Sequence, residues 1–247
     1  MEGMPSPTAL DLLWGTRDRP RRGPKPSLTL ERIVGEAIAL ADAEGLANLS
    51  MQRLAERLGC AKMALYRYLP GKSELTALML DFGMGAAPGL VDSEVVVAED
   101  VPAEPPWRRQ LRDWTVAVHR GMLTHPWMHE LVVGVRPLGP NEIGWFEAGL
   151  TPLAETGLSG PERLDAIALL AGHARALAQQ AAGGPGLESE MARQLAATLS
   201  ARADRYPHTL AAFAEPGGPG ARDNALNFGI DRILDGLAAL MATRAGD

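Results

Sequence analysis

Two stops in a helical stretch, Gly59 and the pair Pro70-Gly71, constrain this chain more than any other feature. They punctuate LSMQRLAERLGCAKMALYRYLPGKSELTALMLD, which begins at Leu49. Ahead of the first stop, Met51, Leu54, Ala55 and Leu58 recur at helical spacing behind Ser50, a hydroxyl N-cap. Beyond the second, Leu75, Leu78, Met79 and Phe82 share one face of a helix that starts near Lys72. Only one short helix, Ala61 to about Leu69, fits between them. Glycine supplies the left-handed residue of a tight turn, and proline cannot continue a helix. Two helices this short cannot bury a core alone. Their support is the preceding helix, where Leu30, Ile33, Val34, Ala37, Ile38 and Ala41 follow the i, i+3, i+4, i+7 rule between Thr29 as N-cap and Gly45.

Packed on that helix, the short pair makes a helix-turn-helix whose second member is free to enter a DNA major groove. Leu65 and Leu69 then point to the core, while Lys62, Ala64, Arg67 and Tyr68 lie wholly or partly outward. This face offers cationic and phenolic donors for phosphate oxygens and base edges. Arg67 and Lys62 are expected to read bases, and small Ala64 to admit a thymine methyl. Tyr66, Tyr68 and Lys72 are expected to hold phosphates. Ser50 and the amides that follow it form an expected anion site, with Gln52 and Arg53 passing close to the DNA backbone. Met63, on the same short helix, completes the expected DNA-binding set.

The charge distribution agrees with a local basic head on an otherwise acidic protein. The formal net charge is -6, yet Arg17 to Lys72 carries 11 Lys/Arg against 6 Asp/Glu, and residues 73 to 247 carry 13 against 22. Residues 1–28, rich in Pro, Gly and Arg, read as a flexible basic arm. Its RDRPRRGPKP either adds minor-groove or phosphate contacts or acts as a solubilising tail. The helix-turn-helix unit spans 29–82. A linker or loop over 83–106 has four prolines and no helical period. Residues 107–247 form a larger helical unit. No stretch reads as strand, so the fold is expected to be all-α.

The motif LSMQRLAERLGCAKMALYRYLPGKSELTALMLD resembles the DNA-binding domain of TetR-type transcriptional regulators over residues 29 to about 82, most specifically in LYRYLPGKSEL. The ending FGIDRILDGLAAL is similar to the last helix of the tetracycline-repressor type of C-terminal domain. This resemblance implies a homodimer on a palindromic operator in double-stranded DNA, released when a small molecule enters the C-terminal domain, and it favours repression over activation. Between these ends the chain matches only in helical layout, which leaves the effector open.

One reading head covers few base pairs, so specificity calls for two copies. The alanine-rich stripe at 162–182 (Leu164, Ile167, Ala171, Ala174, Ala178, Ala181) and the Leu/Ile stripe at 222–241 (Leu226, Ile230, Ile233, Leu237, Leu240) are the expected homodimer helices. Trp107, Trp114, Trp127 and Trp145 fall with Met122, Met128 and Phe146 in a pattern that suits an apolar small-molecule pocket and equally an ordinary core. The expected effector contacts are Trp114, Val118, His119, Met122, Trp127, Phe146, Leu150 and His173. His119, His125 and His129 leave open a metal-binding or enzymatic alternative, although HPWMHE lacks the glutamate inside HExxH. No phosphate loop, GxSxG elbow or paired-carboxylate arrangement occurs, so neither an enzyme nor a cofactor is expected. Lone Cys60 rules out an intramolecular disulfide. No apolar run reaches the roughly 18 to 20 residues of a membrane span, and the start is not a secretion signal, so a cytoplasmic protein is expected.

Overall fold

The computed structural model describes residues 7–15, 28–89, 104–181, 187–200, 202–214 and 224–245. Every regular element among them is helical. They run α1 (Ala9–Trp14), α2 (Leu30–Glu44), α3 (Met51–Leu58), α4 (Lys62–Leu65), α5 (Lys72–Met84), α6 (Pro106–Thr124), α7 (Met128–Leu131), α8 (Pro140–Leu150), α9 (Gly160–Ala181), α10 (Leu187–Ser200), α11 (Pro207–Ala214) and α12 (Ala225–Ala245). Among the described residues, no helix is long and apolar enough to cross a membrane.

Helices α2 to α5 pack as the apolar spacing predicts. Thr29 and Ser50 accept the amides of Arg32 and Arg53 at the starts of α2 and α3. Gly59 closes α3 in the left-handed region at φ 65°, where a side chain would be strained. Leu65 and Leu69 are fully buried, together with Ile33, Leu40, Leu54, Leu75 and Leu78. Truncating either of the first two to alanine costs about 2–5 kcal/mol by the usual core measure. Helix α4 is shorter than the expected Ala61-to-Leu69 span. It stops at Leu65, whose carbonyl then accepts the Tyr68 and Leu69 amides in a tight turn. Pro70 keeps the chain from continuing as helix past Leu69, because it drives the residue before it away from helical backbone.

Part of the arm expected to be flexible is folded. Thr8 and Asp11 form a reciprocal capping box, and α1 docks on α5 with Leu13 buried. Trp14 donates its indole N–H to the Leu138 carbonyl at 2.8 Å. Apolar side chains at Leu12 and Leu13 outweigh the Pro/Gly composition around them. The RDRPRRGPKP stretch lies outside the described residues.

There are two apolar cores. The first gathers α2–α5 and also takes in Leu13 of α1 and, from much later in the chain, Trp127 and Met128. In the second, Leu111 and Trp114 of α6 meet Ile167 and Leu170 of α9 and Ile230 and Leu234 of α12. The two stripes expected at a dimer face therefore need correcting. Ile167, Ala174, Ala178, Ile230 and Leu237 are buried inside the subunit. Leu164 and Leu240 of the expected stripes stay exposed, and beside them lie Ala168, Leu169 and Ala176 on α9 and Phe228, Gly236 and Ala239 on α12. Both outward faces thus mix small residues with large apolar ones, Leu164 and Leu169 on α9 and Phe228 and Leu240 on α12.

Candidate nucleic-acid interface and its coupling to the helical body

The head presents Lys62, Met63, Tyr66, Arg67 and Lys72 to solvent. Its basic residues divide sharply by partner. Arg57 is bound to Glu36, and Arg53 to Glu44 and the Asn48 carbonyl. Arg67 and Lys72 have no acidic partner among the described residues, and the Lys62 ammonium sits 5.9 Å from the Tyr66 ring centroid. Free cations of this kind are what phosphate oxygens and guanine edges require.

Several expected contacts are altered by this geometry. Tyr68 turns its hydroxyl inward and donates to the Leu28 carbonyl at 2.9 Å, so it anchors the entry to α2 rather than facing outward for phosphate. Arg53 is tied up in its ion pair. Gln52 is exposed but donates to Glu56 at 2.8 Å. The Ser50 hydroxyl oxygen accepts the Arg53 amide as a helix cap, beside the free amide end of α3. Ala64 is half-buried, and Met63 protrudes in its place.

Two carboxylates join the head to the rest of the molecule, and neither stood out in the sequence. Asp42, near the end of α2, accepts the Trp127 indole N–H at 2.7 Å and lies 2.8 Å from His125 Nδ1. Asp81, near the end of α5, is buried and accepts the Glu142 amide at 3.0 Å, which makes it a cap for the start of α8 from another helix. The Asp81 carbonyl also accepts from the Asn141 side chain at 2.9 Å. Gly139 permits this approach, since any side chain there would run into the Asp81 carboxylate. Burial pushes the Asp81 carboxyl above its usual range, the backbone bonds oppose that, and the Glu142 charge adds to it. Glu142 is in turn clasped by both terminal guanidinium nitrogens of Arg136.

The expected effector residues do not converge on one cavity. Trp127 belongs to the first core and Met122 packs against it, so these two leave the set. Trp114 is buried in the second core, donating to the Trp145 carbonyl at 3.0 Å, and Val118 is half-buried against the same core. Phe146 is 39% exposed. His119 lies on α6 and His173 on α9. Burial first, and then the His173 ring, hold the His119 imidazole below its usual range. His173 Nε2 is 3.1 Å from the Leu226 carbonyl, and its ring fills the space beside Gly229. An open groove of about 520 Å³ is lined by Glu147, Leu150, Thr151, Ala154, Gly160, Arg163 and Leu164, and it includes only Leu150 of the expected set.

The metal alternative finds no support. His125 faces Asp42 and His129 bonds the Pro126 carbonyl. Among the described residues, no three His, Cys, Asp or Glu side chains are grouped to hold an ion. A further network joins α6 to α12: Arg112 pairs with Glu104 and Asp231, and Arg108 with Glu104 and Asp235.

A helix-turn-helix with exposed cations, mounted on a helical body through its last helix, defines a DNA-binding transcriptional regulator. Residues 33–79 match the family of bacterial regulatory proteins, tetR family, and residues 101–241 match the tetracyclin repressor-like C-terminal domain. The chain belongs to the TetR family. It is 38% identical to the HTH-type transcriptional repressor DrrR1 of Streptomyces coeruleorubidus, over 96% of this chain and 87% of that protein. It is 32% identical to an HTH-type transcriptional regulator of Saccharopolyspora erythraea, over 90% of this chain and 88% of the relative. Apo ActR of Streptomyces coelicolor matches in structure with a TM-score of 0.71 at 26% identity, covering 90% of this chain and all of that one. ActR in complex with actinorhodin matches with a TM-score of 0.69 at 29% identity, covering 87% and 98%.

Proposed function

We propose that this protein is a cytoplasmic repressor that binds a palindromic operator as a homodimer and releases it when a small, largely apolar molecule occupies the helical body. On this reading residues 29–82 bind DNA and residues 107–247 bind effector and partner subunit. The observation that carries it is the contrast on the head. Arg53 and Arg57 are held by acids of α2, while Arg67 and Lys72, on the groove-facing side, are left without an acidic partner among the described residues. Lys62, Met63 and Tyr66 complete the base-reading and phosphate-holding face.

The homodimer reading rests on Leu169, Phe228 and Leu240, apolar side chains 59%, 60% and 38% exposed on the outward faces of α9 and α12. Small Ala168, Ala176, Gly236 and Ala239 beside them let helices approach closely. Repression follows from the similarity to the repressor DrrR1, and effector response from the similarity to ActR, which is found in complex with actinorhodin.

Effector binding is placed between α6 and α9, around His119, His173, Val118 and the edge of Trp114. The open groove at Glu147 and Arg163 lies at the end of α8 away from its Asp81 cap. Helix α6 leads straight into His125 and Trp127, which hold Asp42. A shift of α6 therefore strains that clasp and the nearby cap at Asp81, and α5 carries the change to the reading helix. A coupling of about 1–3 kcal/mol changes operator affinity several-fold to over a hundredfold. The test is duplex selection by the full-length protein, followed by a screen for small molecules that both release the selected duplex and raise the melting temperature. A protein that enriches no duplex sequence contradicts the reading.

A further inference from the structure

We propose that each reading head recognises thymine through its 5-methyl group, with Met63 as the contacting side chain. The inference rests on the operator-binding reading above and adds a base identity and a chemical basis to it. Met63 is 73% exposed, whereas Tyr66, the other large exposed apolar side chain of the helix-turn-helix, is 38% exposed. It holds no core together, since Leu65 and Leu69 fill that role from the same turn. Small Ala61 and Ala64 flank it, so the backbone of α4 can approach a groove floor without obstruction.

The groups around Met63 specify the partner. Lys62 leans toward the Tyr66 ring, and Arg67 and Lys72 have no acidic partner among the described residues, giving a cationic rim around a protruding apolar centre. A polyanion with an apolar group on its inner surface fits that arrangement. In the major groove, the C5-methyl of thymine is the apolar group that the bases offer. The methionine thioether is flexible and polarisable, and so can follow a methyl group closely. Recognition thus divides in two. The rim supplies affinity that weakens as salt rises, and Met63 supplies a preference that salt leaves unchanged.

The full-length protein is used to enrich a duplex from a random-sequence pool built with thymidine. The enriched duplex is then remade with deoxyuridine at every thymidine, which removes only the methyl groups. Wild type is expected to bind the deoxyuridine form about fourfold more weakly per contacted methyl, the factor equivalent to about 0.8 kcal/mol. Met63→Ala is expected to bind both forms equally, at the level of wild type on deoxyuridine, and to keep the wild-type helical circular dichroism because the side chain is exposed. The wild-type ratio is expected to be the same at low and high salt. Equal wild-type affinity for the two forms overturns the inference while leaving operator binding intact, and so does a full thymidine preference in Met63→Ala. Failure to enrich any duplex overturns the operator reading and this inference with it.

Discussion

The Asp42 carboxylate of the DNA-reading unit accepts the indole N–H of Trp127, a residue 85 positions along the chain, at 2.7 Å. This bond ties the supporting helix of the head to the turn that follows α6. It lets the large body determine where the head sits. Removing the carboxylate leaves the buried Trp127 donor unsatisfied, at a cost of about 1–3 kcal/mol. Asp42→Ala is expected to lower the unfolding free energy from urea titration by that amount, and Asp42→Asn, which keeps an oxygen acceptor, to lower it less. Equal losses in the two variants would show that the acceptor is not what matters.

Asp81 separates capping from charge. Asp81→Ala removes the cap of α8 and is expected to cost about 1–2 kcal/mol in chemical unfolding. Asp81→Asn keeps an acceptor for the Glu142 amide and removes the like charge facing Glu142. A carboxyl whose folded pKa is raised by burial holds its proton more tightly in the native state than in the unfolded chain. Its contribution is therefore fully present below the unfolded value and is lost as pH rises through the folded one. Asp81→Asn is accordingly expected to be less destabilised than Asp81→Ala at neutral pH, and to lose the part of the acid-side pH dependence that wild type owes to this group. Urea midpoints across pH 3 to 7 check both points.

The two tyrosines of LYRYLPGK are expected to behave oppositely. Tyr68→Phe breaks the bond to the Leu28 carbonyl and is expected to cost about 1 kcal/mol of stability without changing duplex affinity in folded protein. Tyr66→Phe is expected to weaken duplex affinity with little effect on melting. A loss of affinity confined to Tyr68→Phe would reverse the assignment.

Leu169 tests the association face. Leu169→Arg changes an outward residue that is 59% exposed, so the subunit should remain folded. Analytical ultracentrifugation is expected to show a dimer for wild type and a monomer for the variant, with loss of duplex retention in the monomer. A variant that stays dimeric would move the interface elsewhere.

Most of the head was legible in the sequence because local rules determine it. The caps at Thr29 and Ser50, the left-handed Gly59 and the inward Leu65 and Leu69 follow from spacing and from the chemistry of single residues. Legibility ended where a side chain chooses a partner far along the chain. Nothing near Asp81 indicates that it will cap a helix 61 positions later, and nothing near Asp42 indicates Trp127. Distance also misplaced the tryptophans, because Trp127 and Trp114 lie close in sequence but enter different cores. The inward turn of Tyr68 was equally hidden, since its acceptor is a backbone carbonyl, which carries no residue signature.

The central claim, that the exposed cations of the head engage duplex DNA, is tested most directly by measuring affinity for the selected duplex across a salt series. The logarithm of the association constant for wild type is expected to fall linearly with the logarithm of salt concentration. Replacing Arg67 and Lys72 with alanine is expected to reduce the slope by about 1 to 2. An affinity that is flat in salt, or a slope unchanged by the double substitution, would contradict it.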